Sequence, residues 1–213
     1  MKMIQIILFI FSLISYTSIS NATSSINDFC VADLLNPSTP SGYPCKSETI
    51  VTENDFVFSG LVAGNMQNSF KVGLFSVNVT NLPGLNGLGI SAARIDIGFN
   101  GSVPMHTHPG ASEILIVFQG QITAGFITPT KLIVKTLNPG DVFVFPKGLL
   151  HFQLNTGVGT AIAYAAFTTT NPGIHLTDFL LFGNTLPTPT VSKTTLLDPQ
   201  QIMKLKAVFG GSG

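Results

Sequence analysis

Charge is scarce in this sequence. Ten Lys and Arg and ten Asp and Glu make up only 9% of the 213 residues and cancel to a net charge of zero. An ordinary soluble domain carries about a quarter charged residues. Phosphate recognition needs clustered Lys and Arg, so the shortage argues against nucleic acid or another polyanion as the partner. It also implies that additional surface is covered in the working molecule, most simply between copies of the chain. Long apolar runs are missing as well. The one candidate, Ile4 to about Ile14 in "MKMIQIILFIFSLISYTSISNATSS", is shorter than the roughly 20 residues of a membrane span. It follows a single early lysine and gives way to small polar residues, the layout of a secretory leader. A leader over residues 1–22, cleaved between Ser20 and Ser25, and a single domain over 23–213 are therefore expected.

Cysteine is nearly absent too. Cys30 and Cys45 are the only pair and lack the CxxC spacing of a redox or thiolate-metal site. In a secreted chain they read as a disulfide, worth roughly 3 kcal/mol for so small a loop. Secretion also gives meaning to Asn-x-Ser/Thr sequons. Asn78 (NVT) is the preferred glycan site, because Asn100 (NGS) lies beside the candidate site described below. Asn21 (NAT) counts only if cleavage spares it, and Pro37 excludes Asn36.

What is present is a succession of short runs rich in Ile, Val, Phe and Thr, divided by Gly, Pro and Asn. "TIVTENDFVF", "SFKVGLFSVNV", "GISAARIDIGF", "SEILIVFQ", "QITAGFIT", "KLIVKTL", "DVFVFP", "LLHFQL", "TAIAYAAFTTT" and "TDFLLF" all read as strands. Many short strands with regular turns predict an all-β sandwich or barrel. Runs such as "EILIVFQ" are apolar on both faces, so their outer face needs cover from a second sheet or a neighbouring subunit. One helix is predicted: Asp198 as N-cap, Pro199 at the first helical position and Gly210 as the stop. Its stripe of Ile202, Leu205 and Phe209 packs either on the parent barrel or on a neighbour.

Of four histidines, two stand one residue apart in "VPMHTHPGASEILIVFQG". Residues i and i+2 of a strand share a face, so His106 and His108 can enter one cavity. Glu113, after the "PGAS" turn, can return a carboxylate to it. "GDVFVFPKGLLHFQLN" then offers His151 behind the turn at Pro146 and Gly148. Three imidazoles and one carboxylate suit Mn, Fe, Zn or Cu, and lack the thiolate of a closed structural zinc site. Four such ligands leave two octahedral positions open. A buried carboxylate among apolar strands is costly unless paired or metal-bound.

These residues resemble the two cupin motifs of the germins. HxH(x)4E(x)6G falls on His106, His108, Glu113 and Gly120, and G(x)5PxG(x)2H(x)3N on Gly140, Pro146, Gly148, His151 and Asn155. Asn100, followed by Gly101, stands where the pattern opens with Gly, which suggests a shifted loop. "DFCVADL", "GLNGLGISAARIDIG", "NPGI" and the C-terminal helix extend the likeness over the mature chain, nearest in flavour to the auxin-binding germin-like branch. Gly110 occupies a place where true germins usually carry arginine, which weakens an oxalate oxidase reading. The resemblance implies a single cupin jelly-roll barrel with a C-terminal helical segment that clasps a partner. It further implies Mn(2+) held by His106, His108, Glu113 and His151, and a homo-oligomer, a hexamer built as a trimer of dimers, in the apoplast or cell wall. Three functions follow as expectations: superoxide dismutation, oxalate oxidation at the same site, and binding of a small acid such as an auxin by a module whose metal is structural. The lining anticipated is Phe, Leu, Ile and Met without an arginine. Asn155 either holds the turn after His151 or orients site water, and His175, outside both motifs, has a structural or surface role.

Overall fold

The structure, a computed structural model, describes residues 28–213. The expected leader and Asn21 lie outside the described residues. Among those residues ten strands form two antiparallel sheets. The strands are β1 (Val72–Val77), β2 (Ser91–Ile97), β3 (Ser102–Thr107), β4 (Glu113–Gln119), β5 (Ile122–Ile127), β6 (Leu132–Leu137), β7 (Val142–Phe145), β8 (Leu150–Asn155), β9 (Ala161–Phe167) and β10 (His175–Leu176). One sheet runs β1-β2-β9-β4-β7 and the other β10-β3-β8-β5-β6. This is the jelly-roll arrangement, with the core between the sheets. Its inner faces meet through Ile95, Ile97, Leu115, Val117 and Phe145 from one sheet and Val103, Ile122, Ala124 and Leu137 from the other. Inward and outward residues alternate cleanly along β4, Glu113, Leu115 and Val117 being buried while Ile114, Ile116 and Phe118 are exposed.

One break in alternation matters for the site. β3 pairs with β8 through Val103↔Gln153 and then His106↔His151, so three steps on β3 oppose two on β8. This bulge contains Pro104, which has no N–H to give a ladder. It rephases the strand, so that Val103 and His106 both face inward.

The glycines and asparagines of the two motifs have local duties. Gly120 turns the chain from β4 to β5 at φ +78°, and a Cβ there would lie 2.8 Å from the Ala161 Cα. Asn100 itself adopts the left-handed conformation, φ 54°, which asparagine tolerates far better than most residues. No loop shift is needed to replace the glycine expected there. Asn155 is buried, donates to the carbonyls of Ile97, Gly98 and Gly159 at 2.8, 3.0 and 2.6 Å, and accepts from Gly157 N at 3.0 Å. It clamps the loops at the β8 end and does not reach the site.

Three helices follow the barrel: α1 (Thr177–Phe182), α2 (Thr188–Thr195) and α3 (Pro199–Phe209). α3 matches its predicted bounds, and Asp198 accepts from the N–H groups of Gln200 and Gln201. Its apolar stripe seats on the other two helices, where Ile202 joins Phe182 and Val191 in a small second core. Lys206 is buried with them, its ammonium donating to the carbonyls of Asn184, Leu186 and Ser212.

Two expected strands take other forms. "TIVTENDFVF" forms short 3-10 turns at Glu48–Ile50 and Glu53–Phe56, because Thr52 and Asp55 cap each other and Asp55 also binds Lys46 at 2.6 Å. "TDFLLF" is helix α1: β10 ends at Leu176, and Phe182 is drawn into the helical core instead. α2 went unrecognised because a threonine-rich segment carries little helical signal. The disulfide is formed as expected between Cys30 and Cys45. Among the described residues no helix is long and apolar enough to cross a membrane.

Replacing Asn155 with alanine is expected to cost about 2–3 kcal/mol, since several buried carbonyls lose their donor. Thermal unfolding of the variant checks this, and metal content per folded chain should stay unchanged.

Candidate metal centre

The two motifs converge from opposite sheets. Glu113 opens β4 on one sheet, while His106 on β3, His108 just beyond it and His151 on β8 belong to the other. All four side chains are buried, and one ligand atom from each lies within 4.8 Å of the others. The His106 and His151 ring centroids are 4.0 Å apart, and His108 stands 5.1 and 5.4 Å from them. The bulge in β3 turns His106 toward His151, and the Pro109–Ser112 turn carries the chain from His108 back to Glu113.

The other ring nitrogen of each histidine meets a backbone carbonyl. His106 Nδ1 lies 2.8 Å from Pro104 O, His151 Nδ1 lies 2.8 Å from Leu149 O, and His108 Nδ1 is bonded to Gly173 O. A carbonyl only accepts, so each Nδ1 carries the proton and each Nε2 keeps its lone pair. Those Nε2 atoms are the ones turned to Glu113: its Oε2 is 3.2 Å from His108 Nε2 and 3.3 Å from His151 Nε2. With the tautomers fixed, these are contacts between acceptors. Neither carboxylate oxygen, nor His151 Nε2, has a hydrogen-bond donor in the protein.

Such a cluster of buried, donor-less groups is what a cation would satisfy. Glu113 sits in register between Phe145 and Phe167, Phe145 also stacks on His151 at 4.5 Å, and no other acid is in the cluster. Burial pushes the Glu113 carboxyl up, and only a proton on the facing His108 or His151 Nε2, donated to it as a hydrogen bond, brings it down, to about 2. Burial lowers His106 to about 3, aided by its histidine neighbours. Ionised carboxylate and neutral imidazoles are the protonation states that bind metal.

The cluster closes one end of a cavity of about 170 Å³. Its walls are mainly Leu74, Ala93, Ile95, Val103, Phe167 and Ile174, and Asn78 and Asn171 also line it. Neither lysine nor arginine is among its lining residues, and beside the two asparagines a third amide, Gln153, lines it. Gln153 is 1% exposed and leaves both Nε2 and Oε1 without partners. Sequence reasoning missed it, although it stands at i+2 from His151 in "HFQ" and therefore on the same face. Methionine, also anticipated, does not line the cavity. His175 pairs with Thr107 in β10, exposed and apart from the centre.

A jelly-roll barrel holding three histidines and a glutamate at one end defines a metal-binding cupin. The cupin family pattern matches residues 61–203 of this chain. The whole chain is 51% identical to a germin-like protein, subfamily 3 member 3, of Arabidopsis thaliana, with both chains fully covered. It is 53% identical to the auxin-binding protein ABP19b of Prunus persica, over 91% of this chain and 94% of that one. An oxalate oxidase structure superposes with a TM-score of 0.82 at 34% identity, covering 86% of this chain and 96% of the other. The chain belongs to the germin-like proteins of the cupin family.

The pKa direction of His106 sets the pH response of the metal-free protein. His106 binds fewer protons folded than unfolded, so acidification favours unfolding. The His106 contribution is complete above its ordinary 6.5 and lost as pH falls toward about 3. Melting temperature is expected to fall from about pH 7 to about pH 4, and a His106→Phe variant should show a flatter decline in thermal melts.

Proposed function

We propose that this chain is a manganese-binding germin-like protein of the plant apoplast that dismutates superoxide. The observation that carries the reading is the aligned set of three Nε2 lone pairs and one anionic carboxylate, open on one side to a small cavity. The donor set is compatible with manganese, iron, copper or zinc, the choice of manganese resting on the likeness to germins, and with no thiolate the set does not read as a closed structural zinc site. Bound there, manganese supplies reversible one-electron chemistry. His106, His108, His151 and Glu113 hold it, and the apolar walls restrict water and bulky reductants. Two superoxide anions and two protons give dioxygen and hydrogen peroxide, with the protons drawn from solvent. The Gln153 amide offers one donor and one acceptor to a small oxygen species beside the ligands.

The proposal includes secretion with loss of residues 1–22, a glycan on Asn78, although Asn78 and not the exposed Asn100 lines the cavity, and assembly as a hexamer, a trimer of dimers. Assembly is supported by the uncovered outer face of β4 and β7, where Ile114 pairs with Val144 and Ile116 with Val142. These residues are 43, 53, 42 and 58% exposed, and Phe118 packs beside them on Tyr164. An apolar strip of this kind marks a contact surface.

The apolar walls favour a second reading. A small acid with an apolar body could place its carboxylate at the metal and one polar contact on Gln153, without turnover. Several relatives named auxin-binding proteins favour this alternative, whereas the solved oxalate oxidase favours oxalate.

Purified protein is expected to contain about one Mn per chain and to dismutate superoxide, and His151→Ala should lose both, as read by elemental analysis and a superoxide assay. Full activity in metal-free protein refutes the reading. Peroxide formed from oxalate identifies the oxidase instead, and a melting shift with an auxin, without turnover, identifies the binding module. Light scattering should give the mass of six chains, and Ile116→Asp with Val144→Asp should yield smaller species.

A further inference from the structure

The three histidines are not held in the same way. His106 and His151 take their Nδ1 partners from two residues back in the chain, Pro104 and Leu149. His108 takes its partner from Gly173, 65 residues downstream. Two tautomers are therefore set by local strand geometry, and the third by a segment that must be put in place by something else.

That segment, 171–174, runs as a strap along the cavity, whose lining includes Asn171, Pro172, Gly173 and Ile174. At its start, Thr170 O accepts from Val79 N at 3.1 Å. At its end, His175 and Leu176 pair with Thr107 and His106, the histidine-bearing stretch of β3. Helix α1 begins at the next residue. Phe179 and Phe182 of α1 lie against Phe209 of α3, with centroids 5.1 and 6.3 Å apart. Phe209 also reaches Phe70, whose carbonyl accepts from Ser102 N at the start of β3. The helical tail thus grips the strap from one side and the root of the histidine strand from the other.

We infer that the strap is the positioning element for His108 and that the C-terminal helices, by holding it, set the affinity of the centre for its metal. This rests on the metal reading of the cluster, and goes beyond it in making the tail part of the site's machinery. If the tail loosens, Gly173 O withdraws, the His108 ring is free to exchange tautomers or rotate, and one of four ligands is lost from the prepared set. A metal that prefers the bound geometry must then reorder that ligand itself, which shows as weaker binding.

Gly173 provides the test because its backbone is at φ +60° with no atom within 4 Å of a Cβ placed there. Alanine adds left-handed strain without collision, whereas asparagine tolerates that conformation. In the metal-free protein the strained strap can relax by releasing His108, so the strain is felt chiefly when the metal is bound. Mn2+ titration of the full chain, followed by electron paramagnetic resonance, should give Gly173→Ala a dissociation constant raised roughly fivefold. Gly173→Asn should recover to within about twofold of the parent. Phe209→Ala, distant from the cavity lining, should also weaken Mn2+ binding. In metal-free protein, 15N shifts of the His108 ring should report an Nδ1–H tautomer in the parent and in Gly173→Asn, and a mixture in Gly173→Ala. Unchanged Mn2+ affinity in Gly173→Ala or Phe209→Ala, with only a lower melting temperature, would overturn the inference. A parent chain that binds no Mn2+ while the tautomer follows the substitutions would sink the metal reading and leave the strap's role standing.

Discussion

A backbone carbonyl on each imidazole is the constraint on which the centre depends. Carbonyls at Pro104, Leu149 and Gly173 each accept one proton from a histidine, and that leaves three Nε2 lone pairs free, those of His108 and His151 facing one carboxylate. Without those carbonyls the imidazoles could donate to Glu113 and close the cluster as an internal network. With them, the interior of the barrel holds a negative charge and three lone pairs that only a cation completes. The fold supplies this by ordinary means: a bulge for His106, a tight turn for His151, and a strap from a distant part of the chain for His108.

Because the carboxylate comes from one sheet and the imidazoles from the other, an ion at this point also ties the two sheets together. Most of the inter-sheet core is non-directional packing of Ile, Leu, Val, Ala and Phe. Asn155 on β8 links to Ile97 O on β2 by a directional hydrogen bond, and at the ligand cluster the directional link is the chemical centre itself, so that stability and chemistry share the same four side chains.

Legibility in the sequence followed range of interaction. The ligand set was readable because strand periodicity and motif spacing place His106, His108, Glu113 and His151 by short-range geometry. α3 was readable from Asp198, Pro199 and Gly210, since caps are local chemistry. Gln153 obeyed the same i+2 rule but was hidden by belonging to no charged or ligating class. "TIVTENDFVF" and "TDFLLF" misled because their apolar content suits strand and helix alike, and the outcome turned on partners elsewhere: Lys46 for Asp55, and the helical core for Phe182. The Gly173 contact could not be read at all, since nothing in "NPGI" announces a partner 65 residues upstream.

The irregularity at Pro104 and Met105 has a bearing on how such a scaffold diversifies. It uncouples the two halves of one strand, so the part bearing Val103 faces the cavity while the part bearing His106 faces the ligand cluster, each with its own phase. A change of side chain in the first half can widen, narrow or polarise the chamber without rotating an imidazole. Selectivity at the Val103 half is thereby separable from ligation at the His106 half.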